Sequence, residues 1–244
     1  MPRMLRNAIS AFTRVFDALW CCAADPGPML YMILEFMGPG SAVQRHRAAP
    51  RPGHEVEMMS IDESKQFVPL NIAVLTISDT RSLADDKSGA TLAERIVAAG
   101  HKLAAREIIV DDVEAIRVIV KRWIADAGVD VVITTGGTGF TGRDVTPEAI
   151  EPLFEKRMDG FAIAFHMLSH GKIGTSTIQS RATAGVAGAT FIFCLPGSPG
   201  ACRDGWDGIL GPQLDYRTRP CNFVEIMPRL DEHLRRPKAG GASA

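Results

Sequence analysis

Three short segments concentrate residue types that can hold an anion. Ser78-Asp79-Thr80, Thr134-Thr135-Gly136-Gly137-Thr138-Gly139 and Pro196-Gly197-Ser198-Pro199-Gly200 combine small residues with hydroxyls, and Asp144 follows the second of them closely. Glycine lets backbone N–H groups approach an oxyanion, and hydroxyls add donors, so the chemistry these residues can do together is phosphate binding. A glycine run by itself also serves a tight turn that needs positive φ. That plainer role loses weight when a second Gly/Pro/Ser turn follows another apolar run.

Two better-known phosphate motifs are not met. Gly137-Thr138-Gly139-Phe140-Thr141-Gly142 has the literal G-x-G-x-x-G spacing of a dinucleotide-binding oxidoreductase. That motif wants a helix at once and an acidic residue ending a second strand about 20 residues later, where this chain reads as helix. The same glycines lack the Lys and Ser/Thr of a P-loop, which Arg143 and Asp144 replace. His166 and His170 stand four apart on an expected helix without the Glu of an H-E-x-x-H zinc site, so a helix face explains them.

The elements that must position these segments are regular. Leu70–Ile77, Lys102–Val110, Val129–Thr134 and Ala189–Leu195 are apolar, β-prone runs of the kind covered on both faces. Between them, Leu92, Ile96 and Ala99 share one helical face, with Ser88 as the expected cap and Gly100 at the C-terminal end. Ile116, Ile119, Val120, Trp123 and Ile124 repeat at helical spacing, with Asp111 and Glu114 as a capping box. Thr146-Pro147-Glu148 reads as a capped helix start, Pro152 as a kink, and Phe161–Leu168 as a further helix. Phe161, Phe165 and Trp123 read as core. Strand and helix in alternation predict a mostly parallel sheet with helices on its faces, and ligands of such sheets gather beyond the carboxyl ends of the strands.

The 244 residues carry 27 Lys+Arg against 28 Asp+Glu, a net charge of -1, which excludes the broad cationic field of a general nucleic-acid binder. No apolar run approaches the roughly 20 residues that span a bilayer. The 5 Cys have no C-x-x-C pair, which fits free thiols in the cytoplasm better than a disulfide framework or a zinc ribbon. Residues 1–65, without a sustained period as far as about Glu57, precede the domain at 66–232, and 233–244 read as a flexible tail. The expectation is an extension, with the part before Met58 or Met59 no part of the working protein. Its start is a poor secretory signal, although Phe12, Val15, Phe16 and Leu19 could line an amphipathic face.

Taken in order, the motifs from Phe67 to about Leu230 resemble the MoaB/MogA family of molybdenum cofactor biosynthesis proteins. Ser78-Asp79-Thr80, Thr134–Gly139, Asp144-Val145-Thr146-Pro147-Glu148, Gly174-Thr175-Ser176-Thr177, Ser180-Arg181-Ala182, Leu195–Ser198 and Thr218–Phe223 carry the resemblance. It implies a three-layer α/β/α fold, a homotrimer or homohexamer, and molybdopterin as ligand. It further implies that Mg-ATP donates AMP to the terminal phosphate of molybdopterin before molybdate insertion. By matching motifs, Asp144 and Asp112 take the positions of catalytic, Mg²⁺-holding carboxylates, with Asp111 the adjacent alternative to Asp112, which also suits a helix cap. Ser78, Asp79, Thr80, Gly136, Gly137, Thr138, Gly139, Ser180, Arg181, Pro196, Gly197 and Ser198 take ligand-binding positions. For Asp79 simple turn chemistry, and for Arg181 a surface ion pair, are the competing roles. The later motifs resemble the MoaB branch, some of whose members bind molybdopterin without adenylylating it, so a carrier of the same pathway is the second reading.

Overall fold

The computed structural model describes residues 59–232; the expectations for residues 1–58 and for 233–244 fall outside them. Six strands form one sheet in the order β3-β2-β4-β7-β6-β5: β2 (Asn71–Ile77), β3 (Lys102–Ile109), β4 (Val131–Thr135), β5 (Lys156–Arg157), β6 (Thr183–Ala187) and β7 (Thr190–Leu195). β3, β2, β4 and β7 run parallel, β6 pairs antiparallel with β7, and β5 pairs antiparallel with β6 at the edge. The expected mostly parallel sheet is what forms.

Alternation along each strand explains why the runs are apolar throughout. Ile72 and Val74 of β2, Val131 and Ile133 of β4, and Phe191 and Phe193 of β7 face one layer. That layer holds α1 (Lys87–Ala98) through Leu92 and Ile96, and α4 (Asp159–Ile173) through Phe161 and Phe165. Ala73, Leu75, Val132, Ile192 and Cys194 face the other. It contains α2 (Val113–Ile124), packed through Ile116, Ile119, Val120 and Trp123, and α3 (Thr146–Ile150). Helices on both faces make the three-layer α/β/α architecture. Each fully buried Leu, Ile or Phe contributes about 1.5–3 kcal/mol of transfer free energy.

Several local expectations shift. α1 is capped by Asp86, whose side chain accepts from the Gly89 amide, while Ser88 lies inside the helix. α2 is capped by Asp112 through the Ala115 amide, one residue beyond the expected Asp111. Thr146 does not cap α3; Val145 holds that position with no side-chain bond, and the Thr146 hydroxyl donates instead to the Gly136 carbonyl at 2.8 Å. β6 was not anticipated: it joins β7 through Gly188 (φ 54°) and Ala189 (φ 70°), the two-residue hairpin turn with positive φ at both positions. Residues 60–65, assigned above to the extension, are built into the fold. β1 (Ser60–Ile61) pairs with β8 (Thr218–Arg219), and Lys65 meets Glu225 at 2.7 Å.

Candidate functional site

β2, β4 and β7 end side by side, so the loops that follow them start as neighbours. They also touch. A Cβ on Gly136 would stand 2.1 Å from the Ile77 carbonyl oxygen, and one on Gly197 would stand 3.0 Å from the Gly136 Cα. Gly136 at φ 105° and Gly137 at φ 60° occupy backbone that L side chains rarely adopt, which is why glycine is required there. Hydroxyls pin the loops from below: Thr135 donates to the Pro196 carbonyl at 3.0 Å, and Ser88 donates to the Gly197 carbonyl at 3.0 Å.

Two carboxylates press onto the glycine loop. A Cβ on Gly137 would lie 2.7 Å from Asp111 Oδ1, and one on Gly139 would lie 2.7 Å from Asp144 Oδ2. Asp144 also accepts from the Thr141 hydroxyl at 2.6 Å and the Thr141 amide at 2.8 Å. Burial alone would raise its pKa, but the Thr141 and Gly139 donors outweigh burial and hold it below the ordinary carboxylate range. Asp111 goes the other way, raised by partial burial and then by the like charges of Asp79 and Asp144. Asp79 is lowered, chiefly by a two-pronged pair with Arg143, whose Nε and an Nη donate at 2.8 and 2.7 Å.

Asp111, the alternative left open by the sequence, is thus the residue facing the loop. Asp112 is exposed and its carboxylate is spent capping α2. Ser78 and Thr80 lie at the mouth, with the Thr80 amide 3.3 Å from Ser78 Oγ. Ser180 and Arg181 form a wall tied to the loop: the Arg181 amide donates to the Thr138 carbonyl and its guanidinium to the carbonyls of Gly139 and Asp144 and to Glu148. Arg181 is therefore occupied in holding backbone. Ser180 Oγ is buried with no hydrogen-bond partner. Ser198 caps α5 (Pro199–Gly205) by accepting from the Ala201 amide. His166 serves the wall too, its two ring nitrogens against the Ala162 and Ser180 carbonyls at 2.6 and 3.0 Å. A cleft of about 390 Å³ opens beside the wall, lined by Pro147, Glu148, Glu151, Arg157, Arg181 and Ala182 among others.

Sequence reasoning misses two residues, one at this mouth and one beneath it. In the sequence Arg143 stands only as a departure from a P-loop, and Ser88, rather than Asp86, reads there as the cap of α1. Asp86 is buried, accepting from Thr76 at 2.8 Å, Gly89 at 2.8 Å and Arg106 at 3.0 Å beneath the Ser78–Asp85 loop. The signal available was Asp86 three residues before Gly89, where a Cβ would meet its carboxylate.

The donor set fits Mg²⁺ in one particular way. Among the described residues no three His, Cys, Asp or Glu side chains form a cage for a metal. Mg²⁺ is commonly held by one or two carboxylates together with substrate phosphates, and Asp111 and Asp144 over a phosphate-sized loop offer that. The raised pKa of Asp111 is what a divalent cation would relieve. The free thiols Cys194 and Cys202 are pushed by burial up to about 12 and about 11, so neither is a nucleophile.

Comparison with known proteins points to one family. The family described as a probable molybdopterin binding domain matches residues 73–216. Molybdenum cofactor biosynthesis protein B of Escherichia coli K12 is 51% identical over 160 residues, which are 66% of this chain and 94% of the relative. The protein of the same name from Bacillus subtilis is 43% identical over 164 residues, covering 66% of this chain and 96% of the relative. A crystal structure of a molybdenum cofactor biosynthesis protein B superposes with a TM-score of 0.62 at 38% identity, covering 69% of this chain and 99% of that one.

Proposed function

The chain belongs to the MoaB/MogA family of molybdenum cofactor biosynthesis proteins, and from that membership we propose that it binds molybdopterin and adenylylates it with Mg-ATP. The observation that carries the reading is the pairing of two glycines with two carboxylates, Gly137 under Asp111 and Gly139 under Asp144. Backbone amides and small residues there receive phosphate, and the carboxylates supply hard oxygens to the cation that accompanies it. Mg²⁺ would neutralise charge as one anion attacks another.

In the transfer, a terminal phosphate oxygen of molybdopterin forms a bond to the α-phosphorus of ATP, the α–β anhydride bond breaks, and pyrophosphate leaves. The residues of this chain orient the two substrates in line, which is most of what phosphoryl-type transfer requires of a protein. The cleft beside Arg181 has room for a pterin ring, with Pro147 and Pro152 as flat walls and Glu148 and Glu151 as acceptors for its N–H edge.

Exposed apolar side chains support a homo-oligomer. Ile163, Met167 and Ile173 on α4 and Ile178 just beyond it are 55–70% exposed, apolar surface of which a second copy could cover the Ile163 and Met167 face. The free thiols of Cys194, Cys202 and Cys221 fit work in the cytoplasm. Among the described residues no helix is long and apolar enough to cross a membrane.

Purified full chain, molybdopterin and Mg-ATP test the reading: adenylylated product and pyrophosphate should appear together. Asp144→Asn should remove both while the oligomer persists. Bound molybdopterin with no pyrophosphate from the wild type would replace the enzyme by a carrier of the same pathway.

A further inference from the structure

We infer that Arg143 is the phosphate-gripping cation of this site and that Asp79 holds it in reserve, exchanging it for the nucleotide's polyphosphate when Mg-ATP arrives; this rests on the site being a Mg-nucleotide site. The geometry is specific. Arg143 presents Nε and one Nη to the two oxygens of Asp79 at 2.8 and 2.7 Å, the fork arrangement that guanidinium makes equally with carboxylate and with phosphate. Asp79 also accepts the Asp111 amide at 3.1 Å, so the pair bridges the loops after β2, β3 and β4 and stands at the lip over Asp111.

Other cations at the mouth are committed. Arg181 is spent on the carbonyls of Gly139 and Asp144 and on Glu148, and Arg81 donates to the Ser88 hydroxyl at 3.1 Å. Arg143 instead binds a side chain and no backbone carbonyl with its guanidinium. Its side chain is 67% exposed, it sits beside Gly142, where an added Cβ would touch nothing within 4 Å, and it hangs on a loop fastened by Thr141 and Asp144. A solvent-exposed ion pair is weak enough to exchange for a multiply charged ligand. The exchange is also favoured by charge: Asp79 holds Arg143 first and Asp111 adds to that hold, so a cation reaching Asp111 weakens part of it while the incoming phosphates offer a stronger partner.

The test is a calorimetric titration of the full chain with Mg²⁺ and α,β-methylene-ATP, which cannot undergo transfer, using the wild type, Arg143→Ala, Arg143→Lys, Asp79→Asn and the double variant. Arg143→Ala should weaken binding roughly 10- to 100-fold, and Arg143→Lys should recover only part of it, because a point charge cannot make the fork. Asp79→Asn should tighten binding about threefold to fivefold by freeing the guanidinium, and the tightening should vanish when Arg143 is also Ala. Opposite signs for the two single variants are what a merely structural pair would not produce. Weakening by Asp79→Asn of the same order as Arg143→Ala would overturn the reserve arrangement while leaving the nucleotide site standing. No binding by the wild type, with Mg-pyrophosphate equally unbound, would overturn both.

Discussion

The two ends of the parallel sheet are built from similar materials and treat charge in opposite ways. At the amino end, a groove of about 510 Å³ runs past Met59, Ala98, Ala99, Pro212 and Thr218, and its charges are matched. Asp215 is held by Arg217 at 2.7 Å, Asp62 by Arg219 at 2.5 Å, and His101 is buried as an acceptor for the Leu70 amide at 3.1 Å. Phe67 and Trp206 pack on that imidazole. At the carboxyl end three carboxylates, Asp79, Asp111 and Asp144, share a neighbourhood with Arg143, over glycines that leave no side chain to fill the space. One end is complete by itself; the other carries an excess of negative charge that a cation would balance. The proposed function puts binding at the incomplete end, where charge is left for a ligand to balance.

Substitutions sharpen that contrast. Asp86 sits beneath the carboxyl end but belongs to the matched kind, so Asp86→Ala should cost about 3 kcal/mol by stranding Thr76, Gly89 and Arg106, read as a lower melting temperature. Burial works against its ionisation, yet the Gly89, Arg106 and Thr76 donors lower its folded pKa. Its contribution is therefore present above about pH 3.9 and is lost as pH falls through the depressed value, and acid melts of the variant should lack that loss. If Asp86→Ala melts like the wild type at neutral pH, the matched network is not holding the loop.

Gly137→Ala should cost about 1–3 kcal/mol, because the added Cβ adopts φ 60° and meets Thr146 Oγ1 at 2.4 Å and Asp111 Oδ1 at 2.7 Å. Gly142→Ala, four residues past Thr138 in open space, should be nearly silent in the same denaturant titration. Equal costs at both positions would mean that the loop does not depend on the close approach described here. The smallest effect is expected at the amino end. Burial lowers the His101 pKa, partly opposed by Asp215, so the folded state favours the neutral ring. That stability is complete above about pH 6.5 and is lost as pH falls toward the lowered value, and His101→Gln should flatten the pH dependence of melting over that window.

Much of this was legible because burial on both faces writes itself into strands as unbroken apolar runs, and Ile116, Ile119, Val120 and Trp123 at helical spacing need no partner to be recognised. The glycine loop and the three strand ends were likewise readable, since residue type alone limits what can bind an anion closely. What failed did so for local reasons. Adjacent acceptors such as Asp111 and Asp112 compete for one cap, and the winner depends on backbone angles: Asp112 is extended at φ -133°, ψ 127°, and caps, which leaves Asp111 over the loop. β6 was hidden because its turn is Gly188-Ala189, lacking the Asn-Gly or Asp-Gly that announces a hairpin. The parts of Arg143 and Asp86 depend on partners 64, 10 and 20 residues away, which no local pattern exposes.

The most direct measurement compares initial rates of adenylylated molybdopterin formation, under saturating Mg-ATP, for Asp111→Asn and Asp112→Asn. With Asp111 over the glycine loop and Asp112 capping α2, the first should fall about 100-fold or more, as when a charge-stabilising group is lost. The second should stay within about twofold, since Asn caps a helix as well as Asp. A large loss in Asp112→Asn with Asp111→Asn near the wild type would contradict the placement of the site.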